Sequence, residues 1–245
     1  MPTGTADGEG EGLKVGGAFA PGMLTRGCRL RVAAVPGAGE PTGQLLARLG
    51  ARERTVAESI RPEKRRRDFV LGRLAARRAV LLACGVARLP GRLEVLTGAR
   101  GEPVVTGDDS VQVSLSQSKG LAVACAWRSS SWSVGIDLER IRPTDVLDSA
   151  YAFSRREREV IRRIGGRALA ALVGWTVKEA AFKALALRGG PEALEIVALD
   201  PAGRATVRAA DARLGIARAR VRRLRASGAD YVVALAWSAR AAQNW

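Results

Sequence analysis

The sequence predicts an α+β protein made of two halves with similar architecture. One strand, then helical segments, then several strands occur twice within the 245 residues, an order typical of α+β domains. The apolar content of 47% is enough for a sizeable core. No sequence repeat relates the two halves, so the prediction depends on the order of elements. The polar connection Arg128–Ser131 is the predicted junction, with an N-terminal half at 26–130 and a C-terminal half at 131–240.

In the first half, hydrophobic periodicity and turn residues predict the elements. Strands are predicted at Arg29–Val35, Leu93–Leu96, Val111–Leu115 and Leu121–Trp127, with a turn through Gly98–Pro103 and a connection at Ser116–Gly120. Helical or turn-linked amphipathic chain is predicted over Gln44–Ile60, and a helix over Phe69–Cys84 follows the basic run Pro62–Asp68. Gly85 is a natural C-cap for that helix, because glycine adopts a positive φ without strain.

The second half begins with a predicted strand and continues with two helical segments. These elements are Trp132–Leu138, Asp145–Ile164 and Arg167–Leu187, the last ended by Gly189, Gly190 and Pro191. Four further strands are predicted at Leu194–Leu199, Ala205–Arg208, Ile216–Leu224 and Tyr231–Trp237, with a turn at Ser227 and Gly228. Residues two apart in a strand share a face, so Arg218, Arg220 and Arg222 are expected to line one face of their strand.

Composition limits the possible functions. The formal net charge of +16 predicts an anionic partner. The chain has no histidine, which excludes histidine bases and histidine metal sites, so proton transfer falls to carboxylates, lysines, tyrosines or water. No apolar run approaches the roughly 18 residues of a membrane span, so no membrane partner is predicted.

The amino terminus and the cysteines predict a cytoplasmic protein. Residues 1–25 begin with a stretch rich in glycine and acidic side chains, the reverse of a signal peptide, and we expect a disordered leader. The three cysteines, Cys28, Cys84 and Cys125, are scattered in apolar surroundings, which favours free thiols in a reducing compartment.

Asp137 and Glu139 are two apart in a predicted strand and therefore lie on one face. Adjacent carboxylates repel each other unless a cation lies between them, and oxygen ligands favour Mg²⁺. The alternative is a strand end turning into solvent, where Arg140 and Arg142 neutralise the acids.

Glu179 and Lys183 are four apart, so they share a helix face, with Trp175 one turn earlier. An ordinary ion pair between them would be worth about 0.3–0.5 kcal/mol on a surface. The flanking residues are apolar, however, and buried charges need partners or a function. A third carboxylate from this helix would complete a metal site with Asp137 and Glu139.

These two stretches carry a specific resemblance. Gly135-Ile-Asp-Leu-Glu139, followed about forty residues later by Trp175-Thr-Val-Lys-Glu-Ala-Ala-Phe-Lys183, resembles the paired signature of 4′-phosphopantetheinyl transferases. The length and two-half layout resemble the monomeric, surfactin-synthetase type. Phe153-Ser-Arg-Arg-Glu157 is similar to the family's FSxxE segment. Arg65–Phe69 with Gly72-Arg73, and Arg100–Pro103, resemble the first-half elements that hold coenzyme A.

The resemblance implies two pseudo-symmetric α+β halves with the active site in the cleft between them, where coenzyme A and Mg²⁺ bind. Asp137, Glu139 and Glu179 match the metal-binding acids. Lys178 and Lys183 match the motif lysines, with Lys183 near the transferred phosphate. The positions implied for coenzyme A are Lys64, Arg65, Arg73, Arg100, Ser116 and Gln117, together with the two motif lysines.

The implied reaction is holo-carrier synthesis. A serine hydroxyl of an apo acyl or peptidyl carrier protein attacks the β-phosphate of coenzyme A and 3′,5′-ADP leaves. The proton passes to Glu179, directly or through a metal-bound water, and Lys183 is the second catalytic residue. The acidic face of the carrier could dock on the helix that carries Arg155, Arg156, Arg158, Arg162 and Arg163, or this helix could be a solvated basic face.

One position departs from the family pattern. Val113-Ser-Leu-Ser-Gln117-Ser118 aligns with a segment in which the family commonly has SxSHS, with the histidine contacting phosphate. Gln117 can donate a neutral hydrogen bond to a phosphate oxygen, but it cannot become cationic. We expect activity to remain, with weaker or less pH-dependent binding of coenzyme A.

Two alternatives stay open from the sequence. One is a relative that binds coenzyme A without transferring it, since fold does not establish function. The other is a nucleic-acid-binding module, which only the charge of +16 favours. Basic residues are dispersed, aromatic residues are 4%, and no nucleic-acid-binding motif occurs. The predicted partners are therefore carrier proteins and coenzyme A, without nucleic acid, for a monomer.

Overall fold

The computed structural model describes residues 30–239, apart from residues 38, 87–92, 130 and 143–151. The predicted leader, Cys28 and the first seven residues of the helical prediction Asp145–Ile164 lie outside the described residues. In the described part, helices and strands both occur in each half, so the α+β class is confirmed. The boundaries of the two halves and their pseudo-symmetry stay predictions.

Five α-helices and ten strands are described. The helices are α1 Thr42–Ala47, α2 Ala51–Ser59, α3 Glu63–Cys84, α4 Arg155–Ile161 and α5 Arg167–Leu185, with 3₁₀ turns at Arg162–Ile164, Pro191–Ala193 and Ala212–Leu214. The strands are β1 Arg31–Pro36, β2 Glu94–Thr97, β3 Pro103–Thr106, β4 Gln112–Ser118, β5 Leu121–Trp127, β6 Trp132–Arg140, β7 Leu194–Leu199, β8 Arg204–Ala209, β9 Ile216–Ala226 and β10 Ala229–Ala239.

The strands form three antiparallel sheets. The first has the order β1-β5-β4, the second has the order β6-β10-β9-β8-β7, and β2 and β3 form a separate pair. Helix α3 packs on β1, β4 and β5, while α5 packs on β6, β9 and β10. Each larger sheet is therefore covered by one long helix.

Side-chain alternation divides the interior into layers. In β5, Ala122, Ala124 and Ala126 face the cluster around α3, whereas Val123 and Cys125 face the second sheet. In β10, Val232, Ala234 and Ala236 face the cluster around α5, whereas Val233 and Leu235 face the first sheet. Because both sheets bury two faces, the layers follow the order helix, sheet, sheet, helix.

Several predicted boundaries differ from the structure. Helix α3 begins at Glu63 rather than Phe69, because the charged run continues as solvated helical turns. Strand β4 continues to Ser118, and only Lys119 and Gly120 form the turn to β5, with φ values of 47° and 86°. Positive φ at both turn residues fits a tight hairpin. Strand β3 was not predicted, and its first residue, Pro103, was the last residue of the predicted turn.

Several other elements are confirmed. Strand β5 has the predicted bounds, and α3 ends at a left-handed Gly85 with φ 69°. Helix α5 ends two residues before the predicted Leu187. No helix in the described part of the chain is long and apolar enough to cross a membrane.

Candidate functional site

Strand β6 and helix α5 meet at Gly135. A Cβ on this residue would lie 2.6 Å from the backbone nitrogen of Ala184 and 2.7 Å from the Cβ of Lys183, and it would also overlap the carbonyl oxygen of Ala180. Real Cβ atoms do not approach backbone this closely, so only glycine fits. The missing side chain lets α5 lie directly on β6 and brings Lys183 beside the strand.

Lys183 binds Asp137 across this contact. Its Nζ donates to Asp137 Oδ1 at 2.7 Å and to the carbonyl oxygen of Ile136 at 3.2 Å. The Asp137 residue is only 4% exposed. The ion-pair partner of Lys183 is therefore on the neighbouring strand, not at Glu179 four residues earlier on its own helix.

Three alternating serines of β4 join the first sheet to β6. We call Ser114, Ser116 and Ser118 the serine seam. Ser116 Oγ donates to Asp137 Oδ1 at 2.8 Å, and Ser118 Oγ donates to Glu139 Oε2 at 3.0 Å. The hydroxyls of Ser114 and Ser118 also accept from backbone nitrogens of β6, at 3.2 Å each. The seam thus orients both predicted metal-binding acids of β6, and Ser116 contacts Asp137 directly.

Asp137, Glu139 and Glu179 lie close enough to influence one another. Burial raises the pKa of the Glu139 carboxyl, and the neighbouring charge of Asp137 raises it further. Burial likewise raises the pKa of Glu179; nearby Lys183 opposes this shift and Asp137 adds to it. Both shifts have the same largest cause, because burial disfavours the charged form of a carboxyl group.

The described residues contain no group of three or more carboxylates or thiols already close enough to hold a metal ion. One observation nevertheless fits a cation: Asp137 Oδ2 is buried and has no hydrogen-bond partner among the described residues. A buried, unpaired carboxylate oxygen is costly. An oxygen-only donor set with two acids of raised pKa beside it suits Mg²⁺.

A cavity of about 730 Å³ opens beside Lys183. It is lined by residues from before and after the junction, namely Arg73, Arg100, Gly101, Glu102, Pro103, Ser114, Leu115, Phe182, Lys183, Ala186, Leu187, Arg188 and Gly189. Four of these side chains are cationic, which favours an anionic occupant.

Arg73 is the most unusual of these cations. It is only 6% exposed, and its guanidinium lies 4.4 Å from the centroid of the Phe69 ring. One Nη donates to Thr97 Oγ1 at 2.6 Å, but Nε has no partner among the described residues. Burial lowers the pKa of Arg73. A buried guanidinium with an unused donor is suited to bind an entering anion.

Three further predicted contacts to coenzyme A line a second cavity, of about 640 Å³. Lys64, Arg65 and Gln117 contribute to it, together with Thr97, the residue that accepts from Arg73. Lys64 is exposed and pairs with Asp68 at 2.7 Å. The two cavities therefore adjoin at the Arg73–Thr97 hydrogen bond.

Lys178 was predicted to contact coenzyme A, but its side chain lies in the interior of the protein. Its side chain is 1% exposed, and Nζ contacts Glu157 Oε1 at 3.0 Å and the carbonyl oxygen of Ala152 at 3.0 Å. The ammonium also lies 5.4 Å from the centre of the Phe153 ring. All these partners are internal, so Lys178 does not reach either cavity.

Sequence reasoning missed the partner of Lys178. Glu157 is 3% exposed; it accepts from the backbone nitrogens of Ser154 at 2.8 Å and Ile196 at 3.0 Å, in addition to Lys178. Ser154 caps α4 in return. The FSxxE segment therefore ties α4 to α5 and β7. The capping-box spacing of Ser154 and Glu157 was a signal for the local part of this network.

The fold and site together define a mixed α+β protein with a carboxylate–lysine centre beside cationic cavities. Residues 133–236 match the model of the 4′-phosphopantetheinyl transferase superfamily. This match begins in β6 and ends in β10, and it spans less than half of the chain. No curated protein matches the sequence.

Proposed function

We propose that this protein transfers the 4′-phosphopantetheine group of coenzyme A to a serine of an apo acyl or peptidyl carrier protein. The observation that carries the proposal is Asp137, held by Lys183 and Ser116, beside a cavity that also contains the buried, partly unpaired Arg73. The match at 133–236 supports phosphopantetheinyl transfer as the reaction class.

The cavity cations are proposed to bind the phosphates of coenzyme A. Arg73 has an unused donor, and Arg100 is exposed beside it with only a 3.5 Å contact to Glu102. Lys64, Arg65 and Gln117 extend the binding surface into the adjoining cavity. Fixed donors of this kind stabilise the negative charge that develops on the leaving 3′,5′-ADP.

Asp137, Glu139 and Glu179 are proposed to hold Mg²⁺. When bound, the ion would neutralise charge on the pyrophosphate. The chain's own contribution is to keep the acids in place: the serine seam fixes Asp137 and Glu139, and Gly135 fixes the height of the helix that carries Glu179.

The proposed step is a substitution at phosphorus. The serine oxygen of the carrier forms a bond to the β-phosphorus of coenzyme A, and the bond from that phosphorus to the bridging pyrophosphate oxygen breaks. The electron pair leaves with 3′,5′-ADP, and the serine proton passes to Glu179. Lys183 is placed to balance charge on the transferred phosphate.

The carrier is proposed to dock on α4. A cavity of about 660 Å³ there is lined by four arginines, Arg155, Arg158, Arg162 and Arg167, and by one acid, Glu159. Carrier domains are typically acidic, so this excess of positive charge would accelerate the encounter.

The test is mass spectrometry of several apo carrier proteins incubated with the protein, coenzyme A and Mg²⁺. We expect one carrier class to gain the mass of one phosphopantetheine, and Asp137→Asn and Glu179→Gln to abolish that gain. The control is Asp200→Asn, an acid of the same half whose salt bridge to Arg204 lies elsewhere. Absence of transfer to every carrier, with the protein folded, would contradict the proposal. Calorimetric binding of coenzyme A without transfer would instead identify a non-catalytic relative.

A further inference from the structure

On β8 and β9, the face of the second sheet that points away from α5 is rich in arginine. In β9, Ala217, Ala219 and Val221 are buried against the cluster around α5, while Arg218 and Arg220 alternate with them on the other side of the sheet. The predicted arginine-lined face of this strand is thus present. Further along the same strand face, Leu224 and Ala226 pack in the layer between the two sheets, whereas Arg218 is exposed.

Neighbouring strands add to the same face. Arg204 of β8 lies directly opposite Arg220, and Trp237 of β10 lies directly opposite Arg218. Residues directly opposite one another share a face, and like charges in such pairs are destabilising. Arg204 and Arg220 therefore lie side by side on this face.

Arg218 and Arg220 have no ion-pair partner in the described part of the chain. On the same face of β8, Arg204 is paired to Asp200 Oδ2 and Arg208 to Glu195 Oε2, each at 2.6 Å. Arg218 and Arg220, with Arg163 from the 3₁₀ turn after α4, line the same concavity of about 580 Å³ as Asp200 and Arg204. We call Arg163, Arg204, Arg218 and Arg220 the arginine face.

We propose that the arginine face docks an acidic segment of a partner protein. Asp200 already binds one of its guanidiniums, so carboxylate is an anion that demonstrably fits the surface. Exposed apolar side chains lie beside it, Val197 in the concavity and Ile216 further along β9, at 38% and 55% exposure. Apolar contacts flanking arginines are typical of protein interfaces.

A nucleic acid fits the surface less well. Binding of single strands depends on aromatic rings available for stacking. Trp237, the aromatic residue at this surface, is partly buried and packs against the layer between the two sheets. Its ring is therefore committed to the fold.

The arginine face is separate from the proposed active site. Asp137 pairs with Ala234 of β10, which faces α5, whereas Arg220 pairs with Leu235, which faces the other way. Arg218 and Arg220 therefore lie on the face of the second sheet opposite to that of Asp137. The docking proposal therefore does not depend on the proposed transferase function, and a bound partner would leave the cavity beside Lys183 open.

The experiment measures fluorescence anisotropy of labelled poly-L-glutamate of defined length, at physiological ionic strength, where screening suppresses distant charge effects. Single-stranded DNA of equal net charge is the competing probe. We expect the double variant Arg218→Gln, Arg220→Gln to weaken poly-glutamate binding by about tenfold.

The matched control is Arg223→Gln, Arg225→Gln, which removes the same charge from exposed positions on the opposite face of β9. We expect it to change binding by less than about twofold. Equal losses in the two double variants would overturn the proposal in favour of non-specific charge attraction. Tighter binding of DNA than of poly-glutamate, lost in the Arg218 and Arg220 variant, would overturn it in favour of nucleic acid. No measurable binding of poly-glutamate would overturn it outright.

Discussion

The ammonium of Lys183 lies 2.7 Å from Oδ1 of Asp137, across the contact between α5 and β6. The same Asp137 oxygen accepts from Ser116, while Oδ2 has no partner among the described residues. Oδ1 of Asp137 therefore has a cationic partner and a hydroxyl partner, whereas Oδ2 is available to an additional positive ligand. A lysine that supports one side of a carboxylate and a metal ion that binds the other can act together.

Lys183→Met should destabilise the protein in metal-free buffer and make it respond more to Mg²⁺. Asp137 is 4% exposed and would lose its cationic partner. The expected loss is about 1–3 kcal/mol, below the range for fully buried pairs because Lys183 is partly exposed. Chemical denaturation with and without Mg²⁺ measures both effects.

The control for this variant is Lys64→Met, which breaks an exposed pair with Asp68. That loss should not exceed about 0.5 kcal/mol and should not respond to Mg²⁺. Equal behaviour of the two lysine variants would mean that the Lys183–Asp137 pair has no special role.

Glu139→Gln and Glu179→Gln should each stabilise the metal-free protein at neutral pH. Burial raises the pKa of both acids. A raised folded-state pKa gives stability that is complete below the ordinary glutamate pKa and is lost as pH rises through the raised value. Glutamine avoids that loss, so the gain should grow from mildly acidic to neutral pH, up to about 1 kcal/mol.

Urea unfolding across that pH range, in the presence of a chelator, measures the difference. Glu159→Gln is the comparison, because Glu159 is exposed and its ion pair with Arg155, at 3.6 Å, lies on the surface. A stability gain independent of pH would contradict the assignment to a raised pKa.

Gly135→Ala should abolish transfer and lower stability by about 1–3 kcal/mol, as expected for overpacking. The added Cβ would lie 2.6 Å from the backbone nitrogen of Ala184 and would push α5 away from β6. Lys183 would then lose its contact with Asp137. Gly43→Ala in α1 is the control, since a Cβ there meets no atom within 4 Å. A fully active Gly135→Ala variant would show that the close helix–strand contact is not needed.

Lys178→Met should lower stability by about 3–5 kcal/mol, because it leaves Glu157 buried without its cation. Adding Glu157→Gln in the same chain should recover a large part of that loss, since the uncompensated charge is removed. The dissociation constant for coenzyme A, measured by calorimetry on folded protein, should stay within about twofold. A large loss of coenzyme A affinity with little change in stability would restore Lys178 to the binding site.

Gln117→His tests the departure from the family pattern. Gln117 lines the second cavity with Lys64 and Arg65. Histidine becomes cationic below about pH 6.5, so coenzyme A binding by this variant should tighten a few-fold as pH falls through that value. The wild-type protein, with a neutral amide, should show no such step at this position. Identical pH profiles for the two proteins would place residue 117 away from the phosphates.

Local sequence patterns correctly predicted part of the fold. The two-residue period placed Asp137 and Glu139 on one face of β6, and glycine correctly marked the end of α3. The same reasoning ended β4 too early, because polar residues at Ser116 and Ser118 are typical of a connection. Their hydroxyls bind β6, more than twenty residues away, and that partner is invisible to a local pattern.

The site residues likewise divide into features that local spacing predicted and partners on other elements that it did not. Sequence spacing brought Lys183 to the correct helix face, but it predicted Glu179 as the alternative partner, and the actual partner is on another element. Lys178 was assigned to coenzyme A by resemblance alone. Its burial depends on Glu157, which is twenty-one residues earlier and meets it only after α4 packs on α5.

The serine seam has a consequence for solubility. Strand β4 lies at one edge of the first sheet, and β6 lies at one edge of the second. Exposed edge strands offer unpaired backbone groups to other chains and promote aggregation. The hydroxyls of Ser114 and Ser118 accept hydrogen bonds from backbone nitrogens of β6, so each sheet shields an edge of the other. Either half produced alone would expose an unpaired strand edge, and we expect it to associate with further copies through that edge.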